Sequence, residues 1–305
     1  MAEKNVQDRH YVGNFNILDD DIAGEIVYNK ERGVILLNLV KTFQDEREVF
    51  KSYGALPVIT GKLNTGAVVT LFNNRRIIDK SINFQMRQLT FASSFMIWSN
   101  IESLDAEYNK MVCTLKNAYA WSDLVAFKAT DNGGIKLIEP LEQKIYHWFD
   151  SKITFSPNIN NSLYSPPFDE ETEIVQRLVM EIETSEKKPL NWFTDVRDRI
   201  LTLISFSIKD NVNIEKEYLI DFDKYEEYPN GHKEYYKHYL IAAIPQRPLL
   251  KTNPWEYNLT LTKLPSEIDT NDILVKLTPI LNLYLSLFKY RDMPVEMIFL
   301  NIVQA

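Results

Sequence analysis

Four histidines, a single cysteine and an excess of carboxylates are the groups in this chain that could do chemistry. His232 and His238 fall in the tyrosine-rich stretch Tyr225–Tyr239, where aromatic and polar residues interleave as they do on some binding surfaces. A His₂ metal site needs a third ligand at defined spacing, and none follows. A tyrosine-rich strand pair packed on one face explains the stretch equally well. His147 stands between Tyr146 and Trp148 and reads as a half-buried structural histidine. Cys113 lies in the alternating run Lys110–Leu115 with no His or Asn motif beside it, which marks a buried structural thiol rather than a nucleophile. Asp19-Asp20-Asp21 lacks the spacing and the bidentate Glu of a calcium loop and reads as a solvated turn. With 42 acidic residues, carboxylate pairs arise by chance, so no glycosidase pair is argued. There is no G-x-x-x-x-G-K, G-x-G-x-x-G, H-E-x-x-H, C-x-x-C or G-x-S-x-G. Nine glycines supply a phosphate-cradling loop poorly. The sequence thus assigns no catalytic, cofactor-binding or metal-ligating residue and no cofactor, and it favours a binding or sensing module over an enzyme.

The elements around these residues are mostly strands. The stretch Val58–Asn74, VITGKLNTGAVVTLFNN, alternates with period two on both sides of Asn64-Thr65-Gly66, a hairpin signal. Ile22–Tyr28 and Val34–Val40 form another hairpin, preceded by a short strand from Gly13. Lys41–Gly54 reads as a loop, Ser81–Met86 and Glu107–Leu115 as strands, and Leu89–Trp98 as one or two buried strands. Trp121 reads as a core plug. Val125–Thr130 and Ile135–Ile138 flank the turn Asp131–Gly134, and Ile145–Phe149 and Ile153–Phe155 are further strands. Asn158–Pro167, rich in Asn and Pro, marks a boundary. Gln176–Thr184 then alternates, Ser185–Pro189 turns, and Leu190–Ile208 carries a helical apolar stripe with Asp195, Arg197, Asp198 and Arg199 mostly opposite. Val212–Asp221 and Tyr235–Ile244 are strands about Pro229-Asn230-Gly231. Asn271–Tyr290 is an amphipathic helix, and a second begins at Asp292-Met293-Pro294.

The fold expected is α+β and β-rich. An antiparallel sheet or sandwich-like domain takes residues 1–165, an α+β unit takes 166–265, and helices take 266–305. At 305 residues, about twice a typical domain length, two domains are the prior. The net charge of −8 disfavours DNA or RNA as a partner of this chain, although Arg75-Arg76 with Arg87 could form a local basic patch. The polar N-terminus has no signal-peptide core, and Ile273–Phe288 is interrupted by Lys276 and Pro279, so neither secretion nor a membrane is expected. One cysteine fits a reducing cytoplasm. The last helix runs to Ala305 without a C-cap signal, which suggests a piece of a longer protein.

Several motifs in this order resemble the N-terminal region of ApeA-type HEPN antiphage defence proteins. Gly13-Asn14-Phe15, Gly24-Glu25-Ile26 and Val34–Leu39 match the opening of that family. Ile59, Gly61, Gly66, Val69, Thr70 and Leu71 match its hairpin, and Trp121 matches the Trp after its conserved strand. ILNLYLSLFKY and EMIFLNIVQA look like the entry to HEPN helices. The family usually places Trp beside the first Phe, where this chain has Asn16. The resemblance implies a non-catalytic sensor or regulatory part of an abortive-infection ribonuclease. It also implies a phage-derived trigger, a homodimer through HEPN helices, and RNA as substrate only of a C-terminal part beyond Ala305. HEPN nucleases use R-x4–6-H, and none of His10, His147, His232 and His238 follows an Arg at that spacing. The alternative from the residues is a stand-alone β-sandwich that binds carbohydrate or peptide on Trp98, Trp121 and the Tyr225–Tyr239 stretch.

Overall fold

A computed structural model describes residues 8–17, 20–42, 55–81, 86–99, 106–131, 134–161, 174–243, 259–264 and 266. The chain divides into two compact units, one of residues 1–106 with 236–247 and one of 107–235 with 248–305. The helices expected over 271–305, the loop over 41–54 beyond Thr42, and most of the strand expected over 81–86 lie outside the described residues.

In the first unit, alternation of apolar and polar residues builds β1 (Arg9–Ile17), β2 (Asp20–Asn29), β3 (Val34–Thr42), β4 (Ala55–Leu63), β5 (Val68–Ser81), β6 (Met86–Ala92) and β7 (Phe95–Ile97). All pairings are antiparallel, in the order β5–β4–β1–β2–β3–β6, and β6 pairs back onto β5. The expected sandwich-like sheet is therefore a closed six-stranded barrel. Closure depends on β5, which pairs with β4 and β6 as well as with β7. Its start pairs with β4, Val58 opposite Phe72, and its end with β6, Arg75 opposite Ala92. Between the two it bends at Asn73, whose φ is +52°. The buried Asn74 amide holds that corner, donating to the carbonyls of Leu56 (3.2 Å) and Leu71 (3.0 Å) and accepting from the Ser93 hydroxyl (2.7 Å).

The barrel is filled by inward residues of every strand, among them Phe15, Ile26, Leu37, Ile59, Leu71 and Phe91. Two glycines make room for the largest of them. Gly61 pairs with Phe15, and a Cβ there would lie 2.6 Å from Phe15 Cε1. A Cβ on Gly24 would lie 2.5 Å from Leu39 Cδ2, 2.7 Å from the Asn38 carbonyl oxygen and 3.2 Å from Phe15 Cδ2. The motif glycines of β2 and β4 thus form the seat of one aromatic ring.

The second unit contains β8 (Glu107–Leu115), β9 (Phe127–Ala129), β10 (Ile135–Leu137), β11 (Lys144–Trp148), β12 (Ser151–Asn161), β13 (Ile174–Pro189), the helix α1 (Leu190–Ile208) and β14 (Ile214–Glu227). Its antiparallel sheet runs β11–β12–β13–β8–β14, and β9 and β10 form a separate ribbon. α1 packs on β13 and β8. Its stripe of Phe193, Val196, Ile200, Ile204 and Ile208 is buried, as are Met111, Cys113 and Leu115 of β8 and Met180 and Ile182 of β13. Trp121 is 0% exposed and meets Phe155 edge-on at 5.8 Å, as expected of a core plug. Two expectations fail here. Ser185–Pro189 is not a turn: β13 continues to Pro189 through a register shift between Glu183 and Lys188. Arg197 does not face solvent, because Glu217 of β14 draws its guanidinium inward (2.6 Å).

β15 (Lys233–Ala242) follows β14 through a turn in which the Gly231 N–H bonds the Tyr228 carbonyl (2.9 Å) and Gly231 takes a φ of +78°. Its last residues belong to the first unit, where Leu240, Ile241 and Ala242 pair with Ile97, Met96 and Phe95.

Candidate functional site

Side chains alternate across a sheet, so β8 and β13, which carry α1 on one face, present a second set of side chains on the other. The register aligns that second face into rows running across the strands. Ser156, Val179, Thr114 and Lys216 make one row, since Ser156 pairs with Val179, Val179 with Thr114, and Thr114 with Lys216. Thr154, Glu181, Val112 and Tyr218 make the next. A groove of about 530 Å³ lies along these rows, and Pro157, Asn158 and Ile159 of β12, Leu137 of β10 and Leu141 complete its lining.

The floor is made of short or β-branched side chains because these are strand positions. Charges flank it in pairs. Lys110 reaches Glu181 (2.7 Å) and Glu183 (3.4 Å). Burial works to lower the Lys110 ammonium pKa, but the two carboxylates outweigh it and hold the pKa above the usual lysine value. Glu181 is thereby engaged as an ion-pair acceptor. Arg177 Nε donates to Glu215 (2.6 Å) on the other side. Hydroxyls at Thr114, Ser156 and Tyr218, the Asn158 amide and the Lys216 ammonium supply donors and acceptors. The arrangement offers a ligand hydrogen-bonding groups beside apolar side chains.

A second polar cluster sits in the same unit. Asp221, 4% exposed, accepts from Lys187 (2.7 Å), which also reaches Asp223 (2.6 Å). Burial acts to raise the Asp221 carboxyl, and the bonds from Lys187 and the Asp223 N–H more than reverse this, leaving it below the usual carboxylate range. On the core face, Arg197 and Glu217 are both buried, and Arg197 Nε also meets Asp198 (2.8 Å). Burial pushes the Glu217 carboxyl up against the opposing pull of Arg197. Both clusters brace the sheet.

The residues singled out from the sequence do not converge. His10 lies on β1 with Nδ1 2.8 Å from Glu25 Oε1. His147 is exposed on β11 rather than half-buried, His232 is exposed in the β14–β15 turn, and His238 is buried on β15. Among the described residues, no three His, Cys, Asp or Glu side chains gather as a metal site. Cys113 is fully buried, and burial pushes its thiol well up, as a structural cysteine requires. Arg76 bonds Asp79 (3.1 Å). Trp121 is inaccessible and cannot be a ligand platform, while Trp98 is half-buried against Tyr11, edge-on at 5.0 Å. Tyr225 and Tyr235 meet across the β14–β15 hairpin at 5.9 Å with Lys233 over the Tyr225 ring. The groove residues carried no sequence signal. Each sits in an ordinary strand pattern, and only the register of four distant strands brings them together.

Among the described residues, no helix is long and apolar enough to cross a membrane. No curated protein and no solved structure matches the chain. A family model described as ApeA N-terminal domain 1 matches residues 10–276. That span takes in the glycine-seated barrel, the sheet with its groove and the β14–β15 hairpin. The chain belongs to the ApeA N-terminal domain 1 family.

Proposed function

We propose that the chain is the non-catalytic sensing and regulatory part of an antiphage, abortive-infection HEPN ribonuclease. What supports this reading is the family match over residues 10–276. A groove lined with hydrogen-bonding and apolar side chains fits a binding role. In this reading the groove receives a phage-derived trigger in the cytoplasm. RNA is cut by a HEPN domain carrying R-x4–6-H, and HEPN helices from two copies pair as a homodimer. None of the four histidines of the chain has an Arg at the required spacing.

The test is direct. The purified 305-residue chain is incubated with total bacterial RNA, and no cleavage is expected. Cleavage that survives replacement of all four histidines by Ala would refute the reading. In cells carrying the full gene, Thr114→Arg should reduce protection against phage at unchanged protein level.

A further inference from the structure

We infer that Leu261, Thr262 and Ser266 form a strap that reads the state of the groove: a ligand that shifts the β9–β10 wall of the groove loosens or tightens the strap, and with it the stretch of chain that follows. This rests on the groove being the ligand-binding site of the proposed function.

The strap has a built seat in the second unit. Leu261 is fully buried, and its carbonyl accepts from the Tyr146 hydroxyl (2.8 Å). Burial pushes the Tyr146 phenol up, so it keeps its proton and donates. Thr262 Oγ1 donates to Asp123 (2.9 Å), and the His147 N–H of β11 donates to the Ser266 carbonyl (2.9 Å). Tyr146 in turn meets Trp148 at 4.6 Å and Phe155 at 5.9 Å, and Phe155 meets Trp121, two residues before Asp123. The seat is thus a packed aromatic cluster, which passes a displacement on instead of absorbing it.

The groove wall springs from the same residues. Leu137 of β10 and Leu141 line the groove. The chain enters the β9–β10 ribbon through Leu124 and Ala126, just after Asp123, and returns after Leu141 to Tyr146 and His147. The root of the ribbon is closed by the Ile138 N–H on the Ala126 carbonyl (2.9 Å), and the Ala126 N–H bonds the Tyr119 hydroxyl (3.2 Å). Both chain ends of the wall therefore run directly into anchors of the strap.

Wall and floor differ in how they are held. β12, β13 and β8 of the floor are each paired on both sides. The ribbon is a two-stranded sheet of its own, three residues to a strand, and it shifts as a unit without breaking a bond of the larger sheet. A movable wall on a fixed floor, tied at both ends to one seat, supplies the shared element that coupling between two sites requires.

Coupling is reciprocal, so amide hydrogen exchange of the purified chain, followed residue by residue, tests it from both ends. Leu261→Ala empties the seat and should speed exchange of the Ile138 N–H at the root of the wall by about fivefold. Leu141→Asp disturbs the wall and should speed exchange of the His147 N–H under the strap by a similar factor. Amides of α1 should keep their rates in both. Thr262→Val and Leu137→Ala, gentler changes expected to act by about twofold, carry the test if either of the first two unfolds. The inference is overturned if strap variants leave Ile138 unchanged, if wall variants leave His147 unchanged, or if α1 speeds up equally, which would mean general loosening. It is also overturned if, in cells carrying the full gene, Thr114→Arg abolishes phage protection and the strap variants do not. Coupled exchange with protection undiminished in both kinds of variant would instead leave the strap reading the groove and remove the groove from the proposed function.

Discussion

Replacing Gly61 by Ala adds one methyl group to the barrel, and the structure fixes where it goes. The new carbon would lie 2.6 Å from Phe15 Cε1 and 3.2 Å from the Asn14 carbonyl oxygen. Relief needs a ring movement of about 1 Å, because carbon atoms rest at ~3.5 Å or more. Phe15 is fully buried among strands that close on themselves, so that movement is opposed on every side. Overpacking of this kind costs about 1–3 kcal/mol. Losing glycine's freedom in the unfolded chain returns about 0.5–1 kcal/mol. The net expectation is a loss of about 1–2 kcal/mol in the first unit. Phe15→Leu alone should also destabilise, by about 1–2 kcal/mol, through lost ring volume. In Gly61→Ala/Phe15→Leu the methyl occupies vacated space, so the two losses should fall short of adding by about 1 kcal/mol. The assay is urea unfolding read by hydrogen exchange at β1 and β4 amides, which reports the barrel and not the second unit. A Gly61→Ala protein as stable as the parent, or strict additivity with Phe15→Leu, would refute the glycine seat.

Three further outcomes are expected. Arg197→Met strands the buried Glu217 carboxylate and should cost about 3–5 kcal/mol in the second unit, while adding Glu217→Leu should restore most of it; chemical denaturation of both variants decides. Asn74→Ala removes three hydrogen bonds at the β5 corner and should cost about 2–3 kcal/mol, seen as faster amide exchange in β5 and β6. Asp221 has a depressed folded pKa, so its contribution is complete above the unfolded value of 3.8 and is lost as pH falls through the folded one. Stability of the parent should therefore drop more steeply in acid than that of Asp221→Asn, and equal slopes below about pH 4 would contradict the Lys187 pairing.

The local elements were legible wherever one residue's neighbours in sequence decide its state. The Asn64-Thr65-Gly66 hairpin and the Gly231 turn follow from backbone chemistry. The helix over 190–208 follows from its stripe, with both ends where the pattern stops. The family resemblance carried by Gly13, Gly24, Gly61 and Gly66 is borne out by the match, and two of those glycines have a physical reason in Phe15. Features set by distant partners were not legible. Barrel closure needs Leu36 to find Ala92, and nothing near either residue says so. Residues 185–189 carry turn chemistry, yet Lys188 is held in a ladder opposite Tyr108. Arg197 has the composition of a solvated position and is buried by an acid twenty residues on. The groove is the extreme case, because its floor is assembled from four strands that are ordinary one by one.

The return of 236–247 to the first unit has a consequence for biosynthesis. The ribosome releases β1 to β7, then the whole stretch 107–235, and only afterwards the residues that pair with Phe95, Met96 and Ile97. At ~5–20 residues per second, that edge waits on the order of ten seconds for its own strand. During that interval the nascent chain presents a bare strand to every other nascent chain on the same message. Expression yield should therefore depend on translation speed through the inserted stretch, and a fragment ending at residue 106 would carry the open edge permanently.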